Sequence, residues 1–252
     1  IEVDDKAGTV EALDHVAKAR PGSMDEAALR VALAFEGRDP AVLQAALKRV
    51  DEIDPRSARG FRAAGQQAAH DYRFDDAAVF AKQAVERDPE DAAAHAEYGL
   101  YLLRTGDEKT AGAELSQSWA IDTSDPITKN LLDLLDHLDK FEVVGDGPFI
   151  YKFPAADAAV LKPYALPLGA LAYKTFSERY GFTPKGPILV EMFDQHDEFA
   201  VRTVGLMGIT GALGACFGRV VTMDEPRARR PGEFSWHATQ WHEIAHVFSL
   251  QL

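Results

Sequence analysis

From Val10 to about Lys140, apolar residues recur with helical spacing in stretches of roughly 10–15 residues, separated by short polar breaks. The pattern predicts a run of successive helices. The breaks carry helix punctuation: Asp39-Pro40 reads as cap and first turn, Gly37 and Gly106 fall at helix ends, and Asp125-Pro126 opens the last helix. Beyond Lys140 the pattern changes. FEVVGDGPFIYKF holds two short β-prone runs around a Gly-Asp-Gly-Pro turn, which predicts a hairpin. DAAVLKPYALPLGALAYKTFSERYGF predicts a helix interrupted near Pro163 and Pro167 and ended by Gly181. PILVEMFD (187–194) predicts a buried strand, DEFAVRTVGL a short helix, and GACFGRVVTMD (214–224) another strand. PRARRPGE then reads as an exposed loop, and Ser235 caps a final helix carrying WHATQWHEIAHVFSL. The expected architecture is an all-α region over residues 1–140 followed by a mixed α+β domain over 141–252.

Aligning the front helices exposes a repeat. VDEIDP (50–55), AVERDP (84–89) and SWAIDT (118–123) recur at intervals of 34, so Asp54, Asp88 and Asp122 align. Gly65 aligns with Gly99, and Ala77 with Ala111. A 34-residue helix-turn-helix with small residues at the helix contacts resembles the tetratricopeptide repeat over residues 24–140. Phe61, Gly65, Ala77, Ala84 and Pro89 follow that family's pattern. Thr123 departs from it where proline is expected, and Val31 where glycine is expected. The resemblance implies a short solenoid whose surface takes a peptide or protein partner, with the following domain capping its apolar end.

Composition narrows the partners. The chain of 252 residues carries a net charge of −13, of which −11 lies in the first 140 residues. An acidic front argues against nucleic acid and anionic membranes, and the bland account, a solvated helical surface, explains the charge equally well. No apolar run approaches the length of a membrane span, so a soluble protein is expected, in the cytoplasm, the periplasm or outside the cell. One cysteine, Cys216, excludes an internal disulfide and a cysteine-rich zinc cage. The first residue is Ile1, and WHEIAHVFSLQL stops with no helix cap; both features suggest a piece of a longer protein.

The candidate chemistry is HEIAH, His242 to His246, a match to H-E-x-x-H. Residues four apart share a helix face, so His242 and His246 can address one zinc ion as metal ligands. Glu243 stands one position round, where its carboxylate can accept a proton from the attacking water. The alternative is an amphipathic helix with incidental histidines. The apolar surroundings, Ala245, Val247, Phe248 and Leu250, speak against it, because unpartnered imidazoles and a carboxylate there would be costly. A zinc site normally needs a third protein ligand. By residue type Glu191, Asp194, His196, Asp197, Glu198 and His237 are possible, although His237 should face away from His242. Cys216 could reach the metal from a facing strand or be a small buried residue. Gly205, Gly208, Gly211, Gly214 and Gly218 fit no phosphate-loop spacing and suggest a flexible loop. Arg227, Arg229 and Arg230 read as a solvated loop, and Trp236 and Trp241 as packing residues.

The helical front joined to PYALPLGALAYKTF, PILVEMFD, GALGACFGRVV and WHEIAHVFSL is similar to bacterial tetratricopeptide-repeat proteins carrying an HExxH zincin (gluzincin-like) peptidase domain. The resemblance implies a zinc-dependent peptidase acting on a peptide or protein substrate. Zn2+ is the implied cofactor, with His242 and His246 as ligands and Glu243 as general base. It also implies a third ligand, a glutamate on a helix downstream of Leu252, so residues 1–252 alone are expected to be weakly active or inactive. An edge strand over the metal would bind extended peptide, for which GACFGRVVTMD is the candidate; it could equally be an ordinary core strand. A different class stays open: a non-catalytic peptide-binding scaffold with an inactive zincin-like part.

Overall fold

The computed structural model describes residues 6–252, so the first five residues of the expected 1–140 region lie outside the described residues. The described chain is an α+β protein with eleven α-helices and a five-stranded mixed sheet. It divides into two compact units, the first ending at Tyr101 and the second running Leu102–Leu252. The helices give way to strands near residue 141, whereas the compact division falls inside a helix at 101/102.

The helices up to residue 138 are α1 (Lys6–Ala19), α2 (Met24–Glu36), α3 (Pro40–Ile53), α4 (Arg59–His70), α5 (Phe74–Arg87), α6 (Ala92–Thr105), α7 (Glu108–Ile121) and α8 (Pro126–Leu138). The 34-residue interval reappears in their backbone. Helices α3, α5 and α7 start 34 residues apart and end at Asp54, Asp88 and Asp122, each of whose N–H bonds a carbonyl four residues back. The turn before each carries a left-handed residue: Arg38 (φ 56), Tyr72 (φ 59) and Gly106 (φ 88). This recurrence is compatible with helical repeats. Asp39 and Asp125 cap α3 and α8 as their sequence implies.

In the first unit, small residues let helices close on one another. Ala64, Ala77 and Ala84 are fully buried, and a Cβ on Gly65 would meet the Ala77 carbonyl at 3.4 Å. The Arg87 guanidinium sits 4.9 Å from the Phe61 ring centroid. Among the described residues, the non-glycine residues in left-handed backbone are Arg38 and Tyr72, and both are exposed. Such backbone costs a side-chain-bearing residue about 1 kcal/mol. Arg38→Gly is therefore expected to raise stability by roughly 0.5–1 kcal/mol, read as a higher urea midpoint. A lower midpoint would show that the Arg38 side chain contributes more than the turn costs.

In the second unit, β1 (Glu142–Asp146) and β2 (Phe149–Phe153) form the expected hairpin. Next come α9 (Ala158–Tyr180), β3 (Ile188–Phe193), α10 (His196–Val204), β4 (Gly214–Cys216), β5 (Val220–Asp224) and α11 (Trp236–Gln251). The sheet order is β1-β2-β3-β5-β4. Strands β2, β3 and β5 run parallel, and β1 and β4 are antiparallel edges. All six residues of β3 and all five of β5 are buried, as central parallel strands require.

Two elements differ from the sequence reading. Residues 158–180 form one unbroken helix containing Pro163 and Pro167. Its face of Ala158, Leu161, Ala165, Gly169, Ala172 and Phe176 is buried, and that packing holds the helix across the two missing N–H groups. Residues 214–224 are two antiparallel strands, because Gly218 (φ 86) turns the chain and the Phe217 N–H bonds the Val220 carbonyl. The exposed Pro-Arg loop contains one short 3-10 turn, Pro226–Ala228.

Candidate metal site on the last helix

Ser235 starts α11 as expected, its hydroxyl accepting from the Ala238 N–H at 3.3 Å. The helix buries Gln240, Glu243, Ile244, Val247 and Phe248. Trp236 and Trp241 pack against the same apolar cluster, Trp241 with its ring centroid 5.2 Å from that of Phe176.

The histidine spacing produces convergence. Nε2 of His242 and Nε2 of His246 lie 3.0 Å apart, with the rings edge to face at 83°. Both side chains are on the exposed side, and Glu243 beside them is buried. Two nitrogens on a tetrahedral zinc with arms of about 2.05 Å stand about 3.3 Å apart. The observed pair is within a few tenths of an ångström of that edge, so these residues fit one edge of a zinc site. Burial, and then the neighbouring His242, hold the His246 imidazole below its ordinary value. Burial raises the Glu243 carboxyl to about 7.

The surroundings of Glu243 come from β4. A Cβ on Gly214 would fall 2.7 Å from Glu243 Cγ, 2.8 Å from its Oε1 and 2.8 Å from Thr239 Cγ2. The bare backbone of the edge strand therefore forms one wall of the slot that holds the carboxylate. Cys216, on the same strand, is buried, and burial raises its thiol to about 12.

The upstream third-ligand candidates lie elsewhere. Glu191 is fully buried and ion-paired with Arg202 at 2.7 Å. Glu198 meets His137 at 2.6 Å, and Asp197 accepts from the Gly208 N–H. His237 stacks on Trp236, ring centroids 3.8 Å apart. His196 holds Asp224 and the Ile209 carbonyl. Among the described residues, no group of three His, Cys, Asp or Glu side chains is arranged to hold a metal ion.

Two features at the carboxyl ends of the parallel strands escaped the sequence. One is the His196–Asp224–Arg229 cluster; the arginine, read as a solvated loop residue, donates to buried Asp224 at 2.8 Å. The other is Glu225, which is 1% exposed with its Oε1 unpartnered. Burial first, then Asp157 and weakly Asp194, raise its carboxyl to about 7, against the Arg227 N–H and guanidinium. A raised folded-state value means that folded protein holds a proton the unfolded chain releases above its ordinary 4.5. This contribution is greatest below about pH 4.5 and is lost as pH rises towards 7. Glu225→Gln is expected to remove that dependence, gaining about 2 kcal/mol over the parent at pH 8 and little at pH 4.5. Urea midpoints of both proteins across this range check it; parallel curves would refute it.

Comparison with known families and with curated proteins finds no match for this chain.

Proposed function

We propose that the chain is the HExxH part of a zinc-dependent peptidase of gluzincin-like type, preceded by a short tetratricopeptide-like solenoid. The observation that carries this reading is the 3.0 Å approach of the two Nε2 atoms beside the buried Glu243 carboxylate. His242 and His246 would hold the ion. Bound zinc supplies Lewis acidity and lowers the pKa of water towards 7. Glu243 accepts the proton of the attacking water and delivers it to the leaving amine. Its slot against Gly214 keeps bulk water from one side of that carboxylate. β4 is an edge strand of the sheet, and an edge suits pairing with an extended peptide. A zinc site needs a third donor beside His242 and His246, and among the described residues no third His, Cys, Asp or Glu is grouped with them.

Zinc titration of residues 1–252 tests the first step. Binding is expected to be weak, abolished in His242→Ala and in His246→Ala, and unchanged in His237→Ala. Equal binding by all four proteins would place the metal elsewhere. Strong zinc-dependent turnover by residues 1–252 would show that the third donor lies upstream.

A second reading, a peptide-binding scaffold, draws on a groove of about 620 Å³ between α2 and α4. Leu29, Arg59, Arg62, Gln66 and His70 line it. Tight peptide binding without zinc, lost on groove substitution and indifferent to His242→Ala, would favour this reading.

A further inference from the structure

The nine residues 205–213 between α10 and β4 form neither helix nor strand. Their backbone leads directly into Gly214, the residue against Glu243. What holds this segment in place is a set of side chains reaching in from elsewhere. His196, the first residue of α10, directs Nε2 at the Ile209 carbonyl, 2.7 Å away. Its Nδ1 faces the Asp224 carboxylate at 2.9 and 3.1 Å. Asp224 is fully buried at the end of β5, and its own N–H bonds the Leu213 carbonyl at 3.0 Å. Arg229 donates to Asp224 at 2.8 Å, lies against the His196 ring, and reaches the Ala212 carbonyl at 3.4 Å. Asp197 adds a contact to the Gly208 N–H.

A hydrogen bond from a side chain anchored on a buried carboxylate fixes a loop more firmly than one from a free side chain, because little further motion is frozen. We infer that His196 and Arg229, both anchored on Asp224, are positioning residues that clamp loop 205–213 and thereby hold β4 against Glu243. The bearing of the clamp on catalysis rests on the peptidase reading; its existence does not.

The strand carries its own reporter. Cys216 is the sole cysteine, is buried on β4, and reacts with a disulfide reagent only when the strand opens. The experiment measures the reaction of residues 1–252 with 5,5′-dithiobis(2-nitrobenzoate), without zinc or substrate. His196→Ala is expected to accelerate it about tenfold, and Arg229→Met likewise. His196→Gln, whose amide can still donate to Ile209, should restore a rate near the parent's. Val190→Ala, a cavity in the buried β3, supplies a control of general destabilisation. An unchanged rate in His196→Ala would overturn the clamp. So would an acceleration no greater than that of Val190→Ala at matched stability, or a failure of glutamine to restore the rate. The assay involves no hydrolysis, so a failed clamp and a failed peptidase reading are seen separately.

Discussion

Glu243→Gln is expected to lower peptide hydrolysis by about 10²–10⁴-fold while leaving zinc content unchanged, in a chain that includes its third ligand. The two parts of this result have separate causes. Glutamine keeps the shape of the side chain in the Gly214 slot, so the helix and the histidine pair should stay as they are. It cannot accept a proton, so the water loses its base and the leaving amine its donor. Zinc analysis and steady-state rates on the same preparation check both halves. Loss of zinc along with activity would assign Glu243 a structural part. Activity unchanged would remove it from the chemistry.

The largest stability loss is expected at Arg202, which is 1% exposed between sheet and helices. Its guanidinium pairs with fully buried Glu191 at 2.7 Å and donates to the Leu103 carbonyl at 2.9 Å. Its own carbonyl accepts from Arg104. Burial pushes the Glu191 carboxyl up, and Arg202 beside it opposes that rise. Arg202→Ala leaves a carboxylate without its cation in the interior, along with a cavity. The expected cost is about 3–5 kcal/mol. Glu191→Leu combined with Arg202→Met removes both charges and is expected to recover most of that loss. Urea denaturation of the single and double variants measures the difference. A double variant as unstable as Arg202→Ala would show that the hydrogen bond to Leu103, rather than the charge pair, is the main contribution.

Much of the helical region was legible because its signals are local. Asp39-Pro40 and Asp125-Pro126 cap helices through their own side chains, and the 34-residue interval shows in residues that end helices. Prolines misled where packing overrides propensity: nothing within 158–180 announces that its buried face will hold the helix together across Pro163 and Pro167. In the sequence the 214–224 run looks like one strand, because Gly218 resembles any strand glycine until its positive φ turns the chain. At the candidate site, the histidine pair was readable from spacing alone, since one helix supplies both rings. The wall beside Glu243 and the His196–Asp224–Arg229 cluster were not. Each joins residues from elements far apart in the sequence, which only the folded chain brings together.

The slot at Gly214 couples two positions that lie on different elements and far apart in sequence. With a methyl group there, the strand or the glutamate would have to shift, since Cγ, Oε1 and Thr239 all lie within 3 Å of the added carbon. A side chain at 214 therefore needs room made at both 239 and 243. Shortening the glutamate alone does not free the strand position, because the Thr239 methyl would still meet the added carbon at 2.8 Å.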